Sequence, residues 1–144
     1  MKTFCISIYN QNYSFFVENN LTPVGLGGNH FSKEWINDKF ENDISNKNKN
    51  FGEYTFHYRL WKDASLNKKK DDWVGFCTYR RFWIKKNSQP PKNMKELSDS
   101  ILREVPTEWN DYDCHCTCTN GDNYDGDGNT IGECHNFDGH GDRD

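Results

Sequence analysis

A chain of 144 residues with a net charge of −4 and a sequence pI near 5.7 has room for one domain with a real core. Its acidic balance argues against general nucleic-acid binding, which favours a basic surface. Hydrophobic residues make up 33% of the chain and aromatic residues 15%, so the core has to be built from a few large side chains; with no apolar run of signal-peptide length or of the roughly 20 residues that cross a bilayer, the expected location is cytoplasmic.

At the amino terminus Phe4, Ile6 and Ile8 alternate with Cys5 and Ser7, the period of a strand packed mainly on one face. Cys5, like Cys77 further on, lies inside a strand-like run, where a free thiol behaves as a small apolar side chain. Asn10 to Asn12 supplies turn chemistry. Pro23 to Gly28, PVGLGG, predicts a flexible loop; it lacks the phosphate-loop lysine and a full dinucleotide fingerprint, so a plain turn is preferred. Ser32 predicts the cap of a short helix through Trp35 and Ile36.

The segment NFGEYTFHYRLWK predicts the clearest helix, capped by Asn50, with Glu53 completing a capping-box-like arrangement and Phe51, Tyr54, Tyr58 and Trp61 at the three-four spacing of a buried face. Gly52 weakens its start by about 1 kcal/mol relative to Ala. Next comes DDWVGFCTYRRFWIKK, Asp71 to Lys86, an apolar run ending in two adjacent arginines. An unpaired buried guanidinium costs several kcal/mol, so the chain has to leave the core at Arg80. Trp73 to Tyr79 therefore predicts a strand with Arg80 and Arg81 at its carboxyl end, where ligands of open α/β sheets bind. Two planar, permanently charged groups there suit a diphosphate or a carboxylate.

Pro90 and Pro91 break the chain, and Met94, Leu97, Ile101, Leu102 and Val105 predict a second amphipathic helix ended by Pro106. Strand, helix, strand, helix is the pattern of a layered α/β domain with a mainly parallel sheet. At Asp113 the composition changes to Gly, Asp, Cys and His with almost no apolar residues, which cannot drive hydrophobic collapse. The expected organisation is thus a folded part at 1–113 and an irregular, disordered tail at 114–144.

Between Pro23 and Phe82, and more loosely to Asp113, the chain resembles the bacterial and phage family called domain of unknown function 4422, found in capsular and exopolysaccharide biosynthesis proteins and grouped with GT-A-type glycosyltransferases. The resemblance is carried by PVG at Pro23 to Gly25, DISNKN at Asp43 to Asn48, GEYT…Y..WK at Gly52 to Lys62, and DWVGFCTYRRFW at Asp72 to Trp83. The family pattern reads much like DNIS.KN, CELT..YW.WKN and DYIGL.HYRRYF. Thr78 stands where the family has a histidine and Gly52 where it has a cysteine, so neither family residue carries a role into this chain. The resemblance implies a partial, Rossmann-like GT-A layered fold. It implies transfer from a nucleotide-sugar donor to a glycan acceptor, with a divalent Mn or Mg ion at the donor. The family domain is longer than this chain, so acceptor-side residues are expected to be missing.

The donor-binding candidates are Arg80, Arg81, Asp43, Asn48 and Glu53. Arg80 and Arg81 would contact the diphosphate and stabilise the departing nucleoside diphosphate; ion pairs with Glu53 or Asp43 are their alternative role. Asp43, Ser45, Lys47 and Asn48 lead into a helix start with free N–H groups, and plain loop and capping roles serve Ser45 and Lys47 as well. Glu53 can orient Arg80 or a ribose, and His57 is expected to be structural. Asp111 and Asp113 form a DYD triplet like the metal-binding DxD of GT-A enzymes, although it follows the polar EWND and fits a surface turn better.

The tail supports a different class of function, a non-enzymatic metal-binding or interaction module. Cys114, Cys116, Cys118 and Cys134 with His115, His135 and His140 offer zinc ligands without paired C-x-x-C spacing. Asn123, Asp125, Asp127 and Gly128 imitate a calcium loop whose twelfth position is Cys134, with Glu133 one place early. The preferred explanation is a frameshift. Cys, His, Asn, Asp and Tyr codons all end in a pyrimidine. One base later that pyrimidine stands at the codon centre, where T encodes apolar residues, so an apolar strand can look like this out of frame.

Overall fold

The computed structural model describes residues 1–10, 12–27, 29–66 and 73–110, together with the backbone of Cys134–Asn136. The chain divides into two compact units, Met1–Phe76 and Cys77–Asp144. The expected boundary at Asp113, the DYD triplet and nearly all of the tail lie outside the described residues.

In the first unit, β1 (Lys2–Ser7) is buried from Thr3 to Ser7, on both faces and not mainly on one. Its neighbours explain this. On one side β2 (Leu21–Gly25) pairs with it in parallel, Cys5 opposite Pro23 and Ser7 opposite Gly25; on the other side lies β3 (Val74–Thr78), and the Lys2 amide bonds the Trp73 carbonyl at 2.9 Å. A strand covered on both faces reads as a nearly continuous buried run. The link between β1 and β2 is α1 (Tyr13–Glu18), a helix that no strong periodicity announces. Asn12 in a left-handed conformation starts it, buried Phe16 anchors it, and Asn20, also at positive φ, ends it.

The predicted PVGLGG loop is instead largely β2. A proline is tolerated there because the Pro23 carbonyl accepts from the Ile36 amide at 3.1 Å, on the outer side of the pair. The missing Pro23 N–H therefore costs no bond to β1. The predicted short helix at 32–36 is a single turn, closed by the Trp35 amide on the Ser32 carbonyl at 3.1 Å, after which Ile36 pairs in parallel with Val24. Pairing to β2 recruits these residues in place of further helical turns.

The long predicted helix is broken. A 3-10 turn (Ser45–Lys47) runs into α2 (Asn48–Phe51), and α3 (Tyr54–Lys62) starts afresh, because Gly52 sits at φ +53° and ψ −130°, a conformation essentially reserved for glycine. Glu53 occupies the N-cap position of α3 without a side-chain capping bond, so the capping box centred on Asn50 does not form. The break also shifts the helix phase. Thr55 and Phe56 are buried, whereas Phe51, Tyr54 and Trp61 are 48%, 64% and 72% exposed, the reverse of the predicted face. Phe56 packs edge-on to Phe4 with ring centroids 5.1 Å apart and joins Ile6, Val24 and Leu26 in the core.

In the second unit, β3 turns through Tyr79 and Arg80 into β4 (Arg81–Trp83), with Thr78 opposite Arg81. Two intervening residues can only return the chain antiparallel. The sheet is accordingly mixed and not mainly parallel. The helix α4 (Met94–Ser100) carries a capping box, the Glu96 amide on Asn93 Oδ1 at 2.9 Å and Asn93 Nδ2 on the Glu96 carboxyl at 2.9 Å. It is shorter than the predicted helix because Ile101 turns extended and pairs with Ile84. Leu97, Ile101, Phe82, Ile84 and Trp109 are buried here. Within the segment expected to be irregular, β5 (Cys134–Asn136) pairs antiparallel with β4, whose edge otherwise presents unpaired backbone groups.

Gly25 is held to glycine by a close approach. A Cβ there would stand 2.4 Å from the Phe31 ring, which in turn packs on Trp35 at 4.9 Å. Gly25→Ala should destabilise the protein by about 1–3 kcal/mol through displacement of that ring, read as a lower urea midpoint at unchanged slope.

Candidate functional site

β1 and β2 end side by side, and the loops that follow them are tied together. Ser7 Oγ donates to the Tyr9 carbonyl at 2.7 Å and accepts from the Tyr9 amide at 3.0 Å, fixing the turn out of β1. Asn10 Nδ2 donates to the His30 carbonyl at 3.2 Å, and Asn29 Nδ2 donates to the Ile8 carbonyl. Strand order reverses at β1, with β2 on one side and β3 on the other, and the carboxyl edge of such a strand is where open α/β sheets place ligands.

The same edge gathers a polar cluster. Because Ile36 runs parallel to Val24, the chain delivers Asp38 beyond the carboxyl end of β2, where it is only 4% exposed. Thr55 Oγ1 donates to Asp38 Oδ2 at 2.5 Å and accepts from Asn48 Nδ2 at 3.0 Å. The second Asn48 amide hydrogen goes to the Gly52 carbonyl at 2.9 Å. Asn48 Oδ1 lies 3.8 Å from the place where a Cβ on Gly27 would be, and Gly27 is at φ +80°. The loop after β2, the start of α2 and the start of α3 thus meet around one hydroxyl group. Among the described residues, no donor reaches Asp38 Oδ1 or Asn48 Oδ1, and no cation pairs with Asp38.

The other predicted residues separate in role. Asp43 is occupied by its own loop: Oδ1 accepts from the Ser45 amide at 2.9 Å and Ser45 Oγ at 2.7 Å, and Oδ2 from the Phe40 amide at 3.0 Å. These donors, the Ser45 hydroxyl first, hold its carboxyl below the usual range. Glu53 is exposed at the start of α3. His57 lies against Phe76, ring centroids 4.3 Å apart, with a buried Nε2 that has no hydrogen-bond partner among the described residues. Burial pushes its imidazole below the ordinary value, and the Glu53 charge pulls partly the other way. Arg80 is exposed in the turn between β3 and β4, 5.1 Å from the Tyr79 ring centroid, and among the described residues it has no ion-pair partner. Arg81 is exposed at the first position of β4. Asp111 and Asp113 fall outside the described residues, among which no group of three or more His, Cys, Asp or Glu side chains comes together.

Sequence reasoning singled out Asn48 and missed Asp38 and Thr55. Nothing in NDKF at 37–40 separates Asp38 from the surrounding polar residues. Only the pairing of Ile36 with Val24 brings it to this edge.

An α/β chain with a parallel strand–helix–strand unit belongs to the class of layered α/β domains. A family model described as domain of unknown function (DUF4422) matches residues 5–120, and the chain belongs to that family. No curated protein and no solved structure matches it.

Removing the central hydroxyl should be costly. Thr55→Val leaves Asp38 Oδ2 and an Asn48 N–H without a partner, and a loss of about 1–3 kcal/mol is expected in denaturant titrations. His57 yields a pH dependence. Its folded value lies below the ordinary 6.5, so the unfolded chain binds the proton first. Stability is therefore lost as pH falls from 6.5 towards the folded value and is level below it. Between pH 7.5 and 5.5, His57→Phe should lose less stability than the unsubstituted protein when the two melting curves are compared.

Proposed function

We propose that this protein is a glycosyltransferase of surface-polysaccharide biosynthesis that binds a nucleotide-sugar donor and passes its sugar to a glycan acceptor on the cytoplasmic side. The observation that carries this is Arg80, an exposed guanidinium at the tip of a tight turn, unneutralised by any carboxylate among the described residues. Such a group suits a ligand anion, and a second arginine follows it directly. In the first unit, the carboxyl edge of β1 and β2 supports the same class, because it is where layered α/β folds hold nucleotides.

Glycosyl transfer expels a nucleoside diphosphate, on which negative charge accumulates as the sugar departs. Arg80 and Arg81 are assigned to that developing charge, since cations held near it lower the barrier. Asn48 is assigned to the donor with its amide already oriented by Gly52 and Thr55. Asp43 serves by shaping the loop that delivers Asn48, and Glu53 by its charge at the start of α3. A divalent Mn or Mg ion would supply further charge neutralisation at the diphosphate, with Asp111 and Asp113 as its candidate ligands.

The test is a calorimetric titration of UDP- and GDP-sugars onto the protein, with and without Mn²⁺. Arg80→Lys keeps the charge but loses the two-pronged geometry, so donor affinity should fall about tenfold, one charge-assisted hydrogen bond of roughly 1.5 kcal/mol. The melting temperature should barely move, because the side chain is exposed. Absence of donor binding by the folded protein would overturn the proposal.

A further inference from the structure

We infer that the aromatic face of α3 is a docking surface for an anionic lipid bilayer, with Tyr54, Tyr58 and Trp61 set among the headgroups and Lys62 meeting their phosphates. This surface is independent of the donor-binding function proposed above.

Tyr54, Tyr58 and Trp61 recur at the spacing that aligns side chains along one stripe of a helix, turned away from buried Phe56. Ring contacts order the stripe: the Tyr58 centroid lies 5.9 Å from those of Trp61 and Phe40, and Tyr54 lies 5.5 Å from His57. Tyr54 and Trp61 are nevertheless the most exposed large hydrophobic side chains among the described residues. Contiguous apolar surface left this open marks an interaction face.

Lys62 indicates the occupant. Its Nζ stands 3.8 Å from the Trp61 ring centroid and 5.9 Å from that of Tyr58, so a cation already lies on the stripe and covers one face of the indole. A protein partner, a second copy of this chain included, favours an interface core depleted of lysine. A sugar stacked on that indole face would have to displace the ammonium. A bilayer surface accepts both groups as they stand, because Trp and Tyr settle at headgroup level while Lys extends its charge to the lipid phosphates. The local charge agrees. From Ser45 to Lys62 the exposed charges are Lys47, Lys49 and Lys62 against Glu53 alone, and Lys39 and Glu41 beside Phe40 cancel; Asp63 is paired with Arg59. Each lysine near an acidic leaflet adds attraction. At nine residues α3 is about 14 Å long, far short of the roughly 30 Å hydrocarbon core. The helix therefore lies in the plane of the surface, in a weak and reversible contact.

The test is flotation of the whole protein with vesicles of phosphatidylcholine, alone or in equal parts with phosphatidylglycerol, at low and high salt. The protein should float with the anionic vesicles only, and high salt should release it. Tryptophan emission should move to shorter wavelength on binding, and Trp61→Phe should abolish most of that shift. Trp61→Ala should weaken vesicle binding about tenfold through lost apolar contact, and Lys62→Gln about fivefold through one lost surface charge. Both side chains are exposed, so the melting temperature should barely move in either variant. Failure of the folded protein to float with anionic vesicles, or flotation that both variants leave unchanged, would overturn the inference. Without vesicle binding, quenching of Trp61 by soluble oligosaccharides would assign the face to a glycan, and a dimer that Trp61→Ala dissociates would assign it to a second copy. Nucleotide-sugar titration of the same samples keeps the two claims apart: flotation without donor binding would strike the proposed function and leave the docking surface standing.

Discussion

The Thr55 hydroxyl is the group on which the first unit's polar architecture depends. It stands at the start of α3, fully buried, and joins two earlier segments: the loop carrying Asp38 and the start of α2, which carries Asn48. A hydroxyl that both donates and accepts can fix two partners at once, and in a low-dielectric setting each bond strengthens the other. Phe56, the next residue, packs on Phe4. Adjacent residues therefore place the helix on the core and hold the loops at the sheet edge.

Backbone constraints make that arrangement possible. Gly52 breaks what would have been one helix, and the break brings its carbonyl within reach of Asn48 and Thr55. Gly25 gives way to the Phe31 ring, which lets the loop after β2 fold back and return as Ile36 beside Val24. Pro23 is accommodated only because its nitrogen faces away from β1. Each of these residues makes a poor strand or helix former when considered alone, and each is placed where its particular geometry is required.

The second unit solves a different problem. An apolar strand followed at once by two arginines has to deliver both charges to solvent, and the tight turn at Tyr79 and Arg80 does so without lengthening the chain. Tyr79 lies beneath the Arg80 guanidinium, a contact that restrains the side chain while leaving its hydrogen-bonding edge available. Behind the turn, Phe82 and Ile84 are buried on one face, and on the other face Trp83, between the exposed Arg81 and Lys85, packs edge-on to buried Trp109 with ring centroids 5.7 Å apart.

Legibility from sequence followed the range of the interactions. The strands at Phe4 to Ser7 and Val74 to Thr78, the core thiols Cys5 and Cys77, the exit of the chain from the core at Arg80 and the helix after Pro91 all rest on local pattern and on the cost of burying charge, and they were readable. Family membership was readable too, because the blocks at Asp43, Gly52 and Asp72 are local in sequence. The rest depended on contacts between distant residues. Helical periodicity placed Phe51, Tyr54 and Trp61 inside, but Gly52 reset the phase and Phe56 went in against Phe4. Turn chemistry made Pro23 to Gly25 a loop, but pairing with β1 made it a strand. The sequence by itself determined which segments were apolar, where charge had to emerge and which family the blocks belonged to. Only the tertiary structure decided that Asp38 and Asn48 share Thr55, because a hydrogen bond between residues 17 positions apart exists only after β2 and Ile36 have paired.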